Sequence, residues 1–453
     1  MTQLDARAAL LALATLAAAA PAATAQTTPP AEPQTTMASH AEDAVWWLSG
    51  QLNLIGQGHG TFPSPYSGLN SLRAVRENAV SYVWTVNTGV RVSKDVEVLF
   101  DVESAGGRGI SDAFGLAGFS NLDVVRNPDL GGKPYVARVM LHVTIPIGSE
   151  TVPATAGPFS LAGSQPAHRV EIRAGKFGLV DFFDANAVGS DSHLQFENWT
   201  IDNTGAYDYA ADTRGYTYGA MVEYDAPRWS LRAAEALMPT VANGIVLEWN
   251  LARARSENVE LEWHPRAPLT LKLLGYENHA NMGSYADAIE AYQAGQTIRP
   301  DITAHPFEVR RKYGVVGNVE DVLPGGLRVF ARGGWNDGQT ESFAYTEVDD
   351  TAVVGGDLSG ERWHRPTDRV GVAVASNGLS GLHRAYLQQG GLGFLLGDGT
   401  LRYGREDIVE AYYTAHVWRG FFASVDGQHI ASPGYNRDRG PVFVWGLRAH
   451  VDF

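Results

Sequence analysis

The stretch that decides the fold is PVFVWGLRAHVDF, residues 441–453. Phe453, Val451, Ala449, Leu447, Trp445 and Phe443 share one parity, and Asp452, His450, Arg448 and Gly446 the other. Side chains alternate across a strand, so one face is apolar and aromatic while the other carries charge. A strand of a soluble sandwich or lectin has the same period. Here the apolar face is rich in aromatics and the alternation recurs many times upstream. That combination points to the closing strand of a barrel with lipid outside and water inside.

The clearest upstream hairpin repeats the pattern. Tyr82, Trp84, Val86, Thr88, Val90 and Val92 alternate with polar residues up to a turn at Ser93-Lys94-Asp95. Val96, Val98, Phe100 and Val102 then alternate with Glu97, Asp101 and Glu103. One register gathers the apolar residues on one surface and Arg91, Glu97, Asp101 and Glu103 on the other. Further strands are expected from Trp46 to Gln57, Tyr135 to Ile147, His168 to Gly178, Arg214 to Tyr224 and Trp229 to Met238. Two more meet at His264-Pro265-Arg266. The series continues with Lys312 to Asp321, Leu327 to Asn336, Thr340 to Asp349, Arg369 to Asn377, Tyr403 to Trp418 and Phe421 to Ile430. About sixteen antiparallel strands result, with short turns at one rim and long loops at the other. Two long connections, Ser149 to Ala167 and Asp350 to Pro366, break this rule. Short helices are expected within Ser284 to Gln293 and Ser380 to Gln389.

The composition agrees. The 453 residues include 50 glycines, 10% aromatics and only 19% charged residues, below the usual quarter for soluble proteins. No apolar run outside the first twenty-five residues reaches the roughly 18 needed for a membrane helix. Residues 1–25 read as a signal peptide, with Arg7, an apolar stretch Ala8 to Ala20 and an A-x-A site at Ala23-Thr24-Ala25. Residues 26–43 read as a disordered linker and 44–453 as the barrel domain. There is no cysteine, and the net charge of −15 argues against nucleic acid.

Three segments resemble the carbohydrate-selective porins of Gram-negative outer membranes, the OprB-like proteins. They are GKFGLVDFFDANAVGSDSHLQFENWTIDNTGAYDYAADTRGYTYG (175–219), DRVGVAVASNGLSGLHRAYLQQGG (368–391), and, within 397–453, GDGTLRYGREDIVEAYY and DGQHIASPGYNRDRGPVFVWGLRAHVDF. The resemblance spans roughly Trp46 to Phe453. It implies a sixteen-stranded outer-membrane barrel for energy-independent diffusion of monosaccharides and small sugars. It also implies a lumen narrowed by inward loops and lined by arginine and acidic residues. Asp181, Asp184 and Asn186 lie in the Leu179 to Thr213 loop, which is long enough to fold inward. The partners implied are small carbohydrates and outer-membrane lipid, with a homo-oligomer such as a trimer left open.

A sugar crossing a pore exchanges hydroxyl–water bonds for equivalent ones and must then leave. Arginine supplies a planar fork of donors and carboxylates supply acceptors, and each station must bind weakly. The candidates are therefore Arg91, Glu97, Asp101, Arg138, Arg169, Glu171, Arg173, Lys176, Arg328, Arg332 and Arg448, with Asp181, Asp184 and Asn186. Phe182, Phe183 or Trp199 would offer a ring for stacking. The competing reading of any one of these charges is pairing within the wall.

Enzyme signatures are weak. Gly378-Leu379-Ser380-Gly381-Leu382 lacks the closing glycine of a nucleophile elbow, and there is no H-E-x-x-H or P-loop. Asp181, Asp184 and Asp191 fit no EF-hand spacing, so neither metal nor cofactor is expected. A lipase-like barrel enzyme and a general small-solute porin are the alternatives.

Overall fold

The structure, a computed structural model, describes residues 34–40, 44–123 and 131–453. The expected signal peptide lies outside the described residues, as does most of the expected linker. The first strands are β1 (Trp46–His59), β2 (Glu77–Ser93), β3 (Val96–Gly107) and β4 (Tyr135–Pro146). Next come two short ones, β5 (Thr151–Pro153) and β6 (Ser164–Pro166), then β7 (Arg169–Phe177), β8 (Thr217–Ala226) and β9 (Trp229–Ala236). They are followed by β10 (Arg255–Arg266), β11 (Leu269–Asn281), β12 (Val309–Leu323), β13 (Leu327–Asn336) and β14 (Asp350–Gly360). The series ends with β15 (Arg365–Gly378), β16 (Glu406–Trp418), β17 (Phe421–Ala431) and β18 (Val442–Asp452).

All but β5 and β6 close into one sixteen-stranded antiparallel barrel. β18 seals it against β1, with Leu52 opposite Val451 and Ile55 opposite Arg448. Closure leaves no unpaired edge, which is what allows strands to cross a membrane. No helix among the described residues is long and apolar enough to do so.

The alternation of the closing strand sets its orientation. Phe443 is 57% exposed and Leu447 55%, whereas Arg448 and its neighbour on the inner face, His450, are 3% and 2% exposed. Trp84 and Phe100 share the outward parity, with Phe100 exposed. On β10–β12 the outward residues are Val259, Leu261, Trp263, Leu273 and Val315. This apolar run is bounded at the long-loop rim by the cross-strand pair Glu257 and Glu277 with Arg311. At the short-turn rim it ends at the Arg266–Asp321 ion pair, 2.5 Å. About nine residues at ~3.4 Å each, tilted by ~40°, give a band roughly 23 Å tall, close to the hydrocarbon span of an outer-membrane barrel.

One strand lies elsewhere than expected. Thr340 to Asp349 is not a strand but a loop inside the barrel, with Phe343, Tyr345 and Val348 in an interior cluster. The strand is β14, within what reads in sequence as a long connection. Its core, Ala352-Val353-Val354-Gly355-Gly356, is small or apolar on both faces, so the two-residue period disappears. The tight turn Glu361–Trp363 follows, and that apparent exception vanishes. The other exception is real: residues 147–168 join β4 to β7 at the short-turn rim. Both expected helices form, Tyr285–Gln293 and Gly381–Gln388, each capped by a serine hydroxyl, Ser284 and Ser380.

Replacing Leu447, in the middle of the outward face, by Arg should destabilise the barrel by about 2–4 kcal/mol, whereas Glu277→Arg at the rim should cost ~0–1 kcal/mol. Urea unfolding of protein refolded into lipid vesicles measures both.

Candidate solute path through the barrel

The 178–216 loop enters the lumen from the long-loop rim. Every residue from Gln195 to Thr213 is buried. Buried peptide groups need partners, and here many come from the wall. Glu260 accepts the Asp184 N–H (2.8 Å), Glu320 that of Ala187 (2.7 Å), and Glu410 those of Glu197 (2.5 Å) and Asn198 (3.2 Å). Carbonyls are met by cations. Arg232 donates to Phe182 O (2.8 Å), Lys272 to Ala185 O (2.6 Å), Arg332 to Ile201 O (2.8 Å) and Asp184 O (3.1 Å). Arg448 donates to Ser192 O (2.6 Å) and Gln195 O (2.8 Å). The loop's α-helical turn, Trp199–Asp202, is capped by Asn198, whose Oδ1 accepts the Thr200 N–H at 3.0 Å.

The loop fills the lumen unevenly. Against β1–β4 it leaves a cavity of about 380 Å³, lined on the wall side by Gln51, Thr85, Asn87, Glu103, Tyr135 and Arg138. Asp181, His193, Trp199, Tyr209 and Tyr216 line the loop side, and Tyr345 joins them. Arg138 stands at the centre. Its Nε and Nη2 donate to the two Asp181 oxygens (2.8 and 2.7 Å) and its Nη1 to Asp101 (3.1 Å). The Phe159 and Tyr216 rings lie 5.0 and 5.2 Å from the guanidinium, within cation–π range. Opposite, Trp199 and Tyr345 stack at 4.5 Å and 16°, and Tyr209 continues the row at 5.7 Å. Gln51 Oε1 and Asp101 Oδ1 have no hydrogen-bond partner among the described residues. At the mouth, burial pushes the Asp212 carboxyl up, opposed by the Arg214 and Tyr216 N–H groups. A second cavity, about 390 Å³, is lined by Asn186, Ser190, Asp191, Arg328, Arg369 and Thr414.

The fourteen candidates thus fall into groups. Arg138 and Asp181 line the first cavity, with Asp101 buried behind them. Asn186 and Arg328 line the second; Arg328 is also held by Asp357 at 2.5 Å. Asp184 ties the inner loop to itself by accepting the Thr204 N–H, and Arg332 and Arg448 bind that loop from the wall. Arg91 and Glu97 hold Leu161 of the 147–168 connection through its carbonyl and N–H. Arg169, Glu171 and Arg173 form a ladder with His142, Glu223 and Asp225. Lys176 has outward parity at the long-loop rim, opposite the exposed Val139, and its Nζ donates to Val136 O at 2.9 Å. Of the three rings expected to stack, Trp199 lines the cavity while Phe183 is fully buried. Gln51, Tyr135, Tyr209, Tyr216 and Tyr345 are among the lining residues that sequence reasoning missed. Tyr209 and Tyr216 stand in the quoted 175–219 segment, but neutral residues carry no alternation signal inside a loop.

Glu171, Glu223 and Asp225 bring carboxylate oxygens within 4.8 Å of one another. Guanidinium groups already balance them: Arg169 lies 2.5 Å from Glu171 and 3.0 Å from Asp225, and Arg232 lies 2.7 Å from Glu223. A cation has little charge left to answer there.

Residues 70–453 match the model of the carbohydrate-selective porin, OprB family. The chain belongs to that family. It is thus a carbohydrate-selective porin of the Gram-negative outer membrane, with the long-loop rim outside and the short-turn rim in the periplasm. The high-pH structure of Pseudomonas putida OprB superposes with a TM-score of 0.66 at 16% identity, covering 90% of this chain and 94% of that one. The anion-selective porin from Comamonas acidovorans aligns with a TM-score of 0.49 at 7% identity, covering 90% and 99%. The DcaP channel of Acinetobacter baumannii gives 0.49 at 8% identity, covering 90% and 97%. No curated protein matches the chain in sequence.

Two predictions concern the OprB-family inner loop. Arg332→Ala removes a buried cation that serves several loop acceptors, each charged bond being worth ~1.5–3 kcal/mol. Limited proteolysis of the folded barrel should then cut within 178–216, where the parent chain resists. The second concerns Glu197, whose carboxyl is pushed up to about 8 by burial and by Asp426, against Arg448 and Gln57. Between its ordinary 4.5 and 8 the folded state holds a proton that the unfolded chain has released, so this contribution to stability falls as pH rises through that window. Glu197→Gln should flatten the loss of urea midpoint between pH 5 and about 8.

Proposed function

We propose that small neutral sugars pass by facilitated diffusion along the β1–β4 side of the lumen, through the cavity at Arg138. The observation that carries this reading is the Asp101–Arg138–Asp181 triad facing the Trp199–Tyr345–Tyr209 row. A pyranose has a rim of hydroxyls and two less polar faces. The triad offers donors and acceptors to the rim, and stacked rings offer a surface to a face. Because Arg138 is already paired with two carboxylates, a hydroxyl competes for bonds rather than meeting a bare charge. Binding at each station is therefore weak, as throughput requires. Close pairing of the two carboxylates with the guanidinium also limits the field along the path, which suits uncharged solutes.

In this reading Arg138 and Asp181 form the constriction with Asp101 behind them, and Arg328 and Asn186 line the separate space against β13, β15 and β16. Arg91, Glu97, Arg169, Glu171, Arg173, Asp184, Arg332 and Arg448 position the loops and walls, and Lys176 belongs to the rim.

Arg138→Ala should widen the constriction and reduce sugar block of the ion current. Single-channel recording of the purified porin in planar bilayers, with glucose added to either side, reads both effects. A general porin without sugar preference would show no block in the parent protein. An Arg138→Ala channel with unaltered conductance and block would remove Arg138 from the path.

A further inference from the structure

The connection 147–168 is unusual for the periplasmic rim, where the other turns are short. It is built as a hairpin almost throughout. Ile147 N–H donates to His168 O (2.8 Å) and Ala167 N–H to Glu150 O (2.9 Å). β5 and β6 pair above these, Ala154 N–H donates to Gly163 O (3.0 Å), and Gly157 and Ser160 exchange bonds of 2.7 and 3.2 Å. Pro158 and Phe159 therefore occupy a tight two-residue tip.

This tip lies inside the barrel. Leu161 is 1% exposed, and its N–H donates to both Glu97 oxygens at 3.1 Å while its carbonyl accepts from Arg91. A Cβ on Gly89 would lie 2.9 Å from the Leu161 side chain and 2.8 Å from that of Leu99, so a larger residue there would press on the docked leucine. Two residues earlier, the Phe159 ring packs edge-on against Phe182 of the inner loop (5.6 Å) and lies 5.0 Å from the Arg138 guanidinium. Pro158 and Phe159 line the same cavity as Arg138 and Asp181.

We propose that residues 147–168 form a periplasmic arm whose tip, Pro158-Phe159, sets the width of the sugar path together with Arg138 and Asp181. The path is thus closed down from both sides of the membrane, by the 178–216 loop from outside and by the arm from the periplasm. Glu97 and Arg91 position the arm, and Phe159 determines which solutes pass. The inference rests on the reading that solute passes this cavity.

Two variants test it in the full-length porin. Phe159→Ala removes the ring alone. Replacing residues 155–162 by Asn-Gly keeps the base of the hairpin, including the 154–163 bond, and deletes the tip. Single-channel conductance and liposome swelling with glucose and raffinose are measured beside Arg138→Ala. Conductance should rise about two-fold or more in each arm variant, and the raffinose-to-glucose rate ratio should rise with it. Arm variants that match the parent, or conduct less, while Arg138→Ala is altered would overturn the proposal and leave the path in place. Three unaltered variants would overturn the path itself and the arm's role with it. If the shortened arm prevents barrel assembly, Phe159→Ala alone decides.

Discussion

Peptide groups taken out of water must find partners, and most of this porin's interior answers to that demand. A wide barrel would leave a lumen of bulk water, yet a loop of nearly forty residues fills much of it. Such a chain lacks a ladder of its own. Its N–H groups are met by Glu260, Glu320 and Glu410 and its carbonyls by Arg232, Lys272, Arg332 and Arg448. The same device recurs for the other inward segments. Asp208 accepts the Phe343 and Ala344 N–H groups, Glu347 those of Leu395 and Leu396, and Glu97 that of Leu161. Removing one partner exposes the full desolvation cost of the other, so these contacts fix the loop more firmly than their net energies suggest.

Charge inside the barrel therefore divides between two tasks. Where the loop presses on the wall, as at Arg332, side chains are consumed in holding backbone. Where it stands away, along β1–β4, Arg138 and Asp181 face open space. The aromatic row of Trp199 and Tyr209 from the loop with Tyr345 from the segment before β14 lines that gap on its inner side.

The barrel was legible because lipid outside and polar groups inside impose a two-residue period, and thirteen residues at 441–453 already carry it. The period failed at β14, where Val353 and Val354 leave neither face polar, and it misled at Thr340 to Asp349, whose Phe343 and Tyr345 are buried by loops rather than by lipid. The inward arginines and acids were legible as a set, but not their roles. Arg138 and Arg332 look alike in sequence, and only the fold of a distant loop makes one a lining group and the other a brace. Lys176 shows the limit of listing charges, since its own parity places it outward.

The apolar band bounded by Glu257, Glu277 and Arg311 above and by Arg266 and Asp321 below has a consequence for sorting solutes. A slide of the barrel by one pleat in either direction would draw ionised groups toward hydrocarbon, so the wall is moored at a single height. Arg138, on β4 of the same closed wall, inherits that height. On the proposed path, a sugar would meet the constriction at Arg138 at the same depth on every crossing, whatever the outer loops are doing.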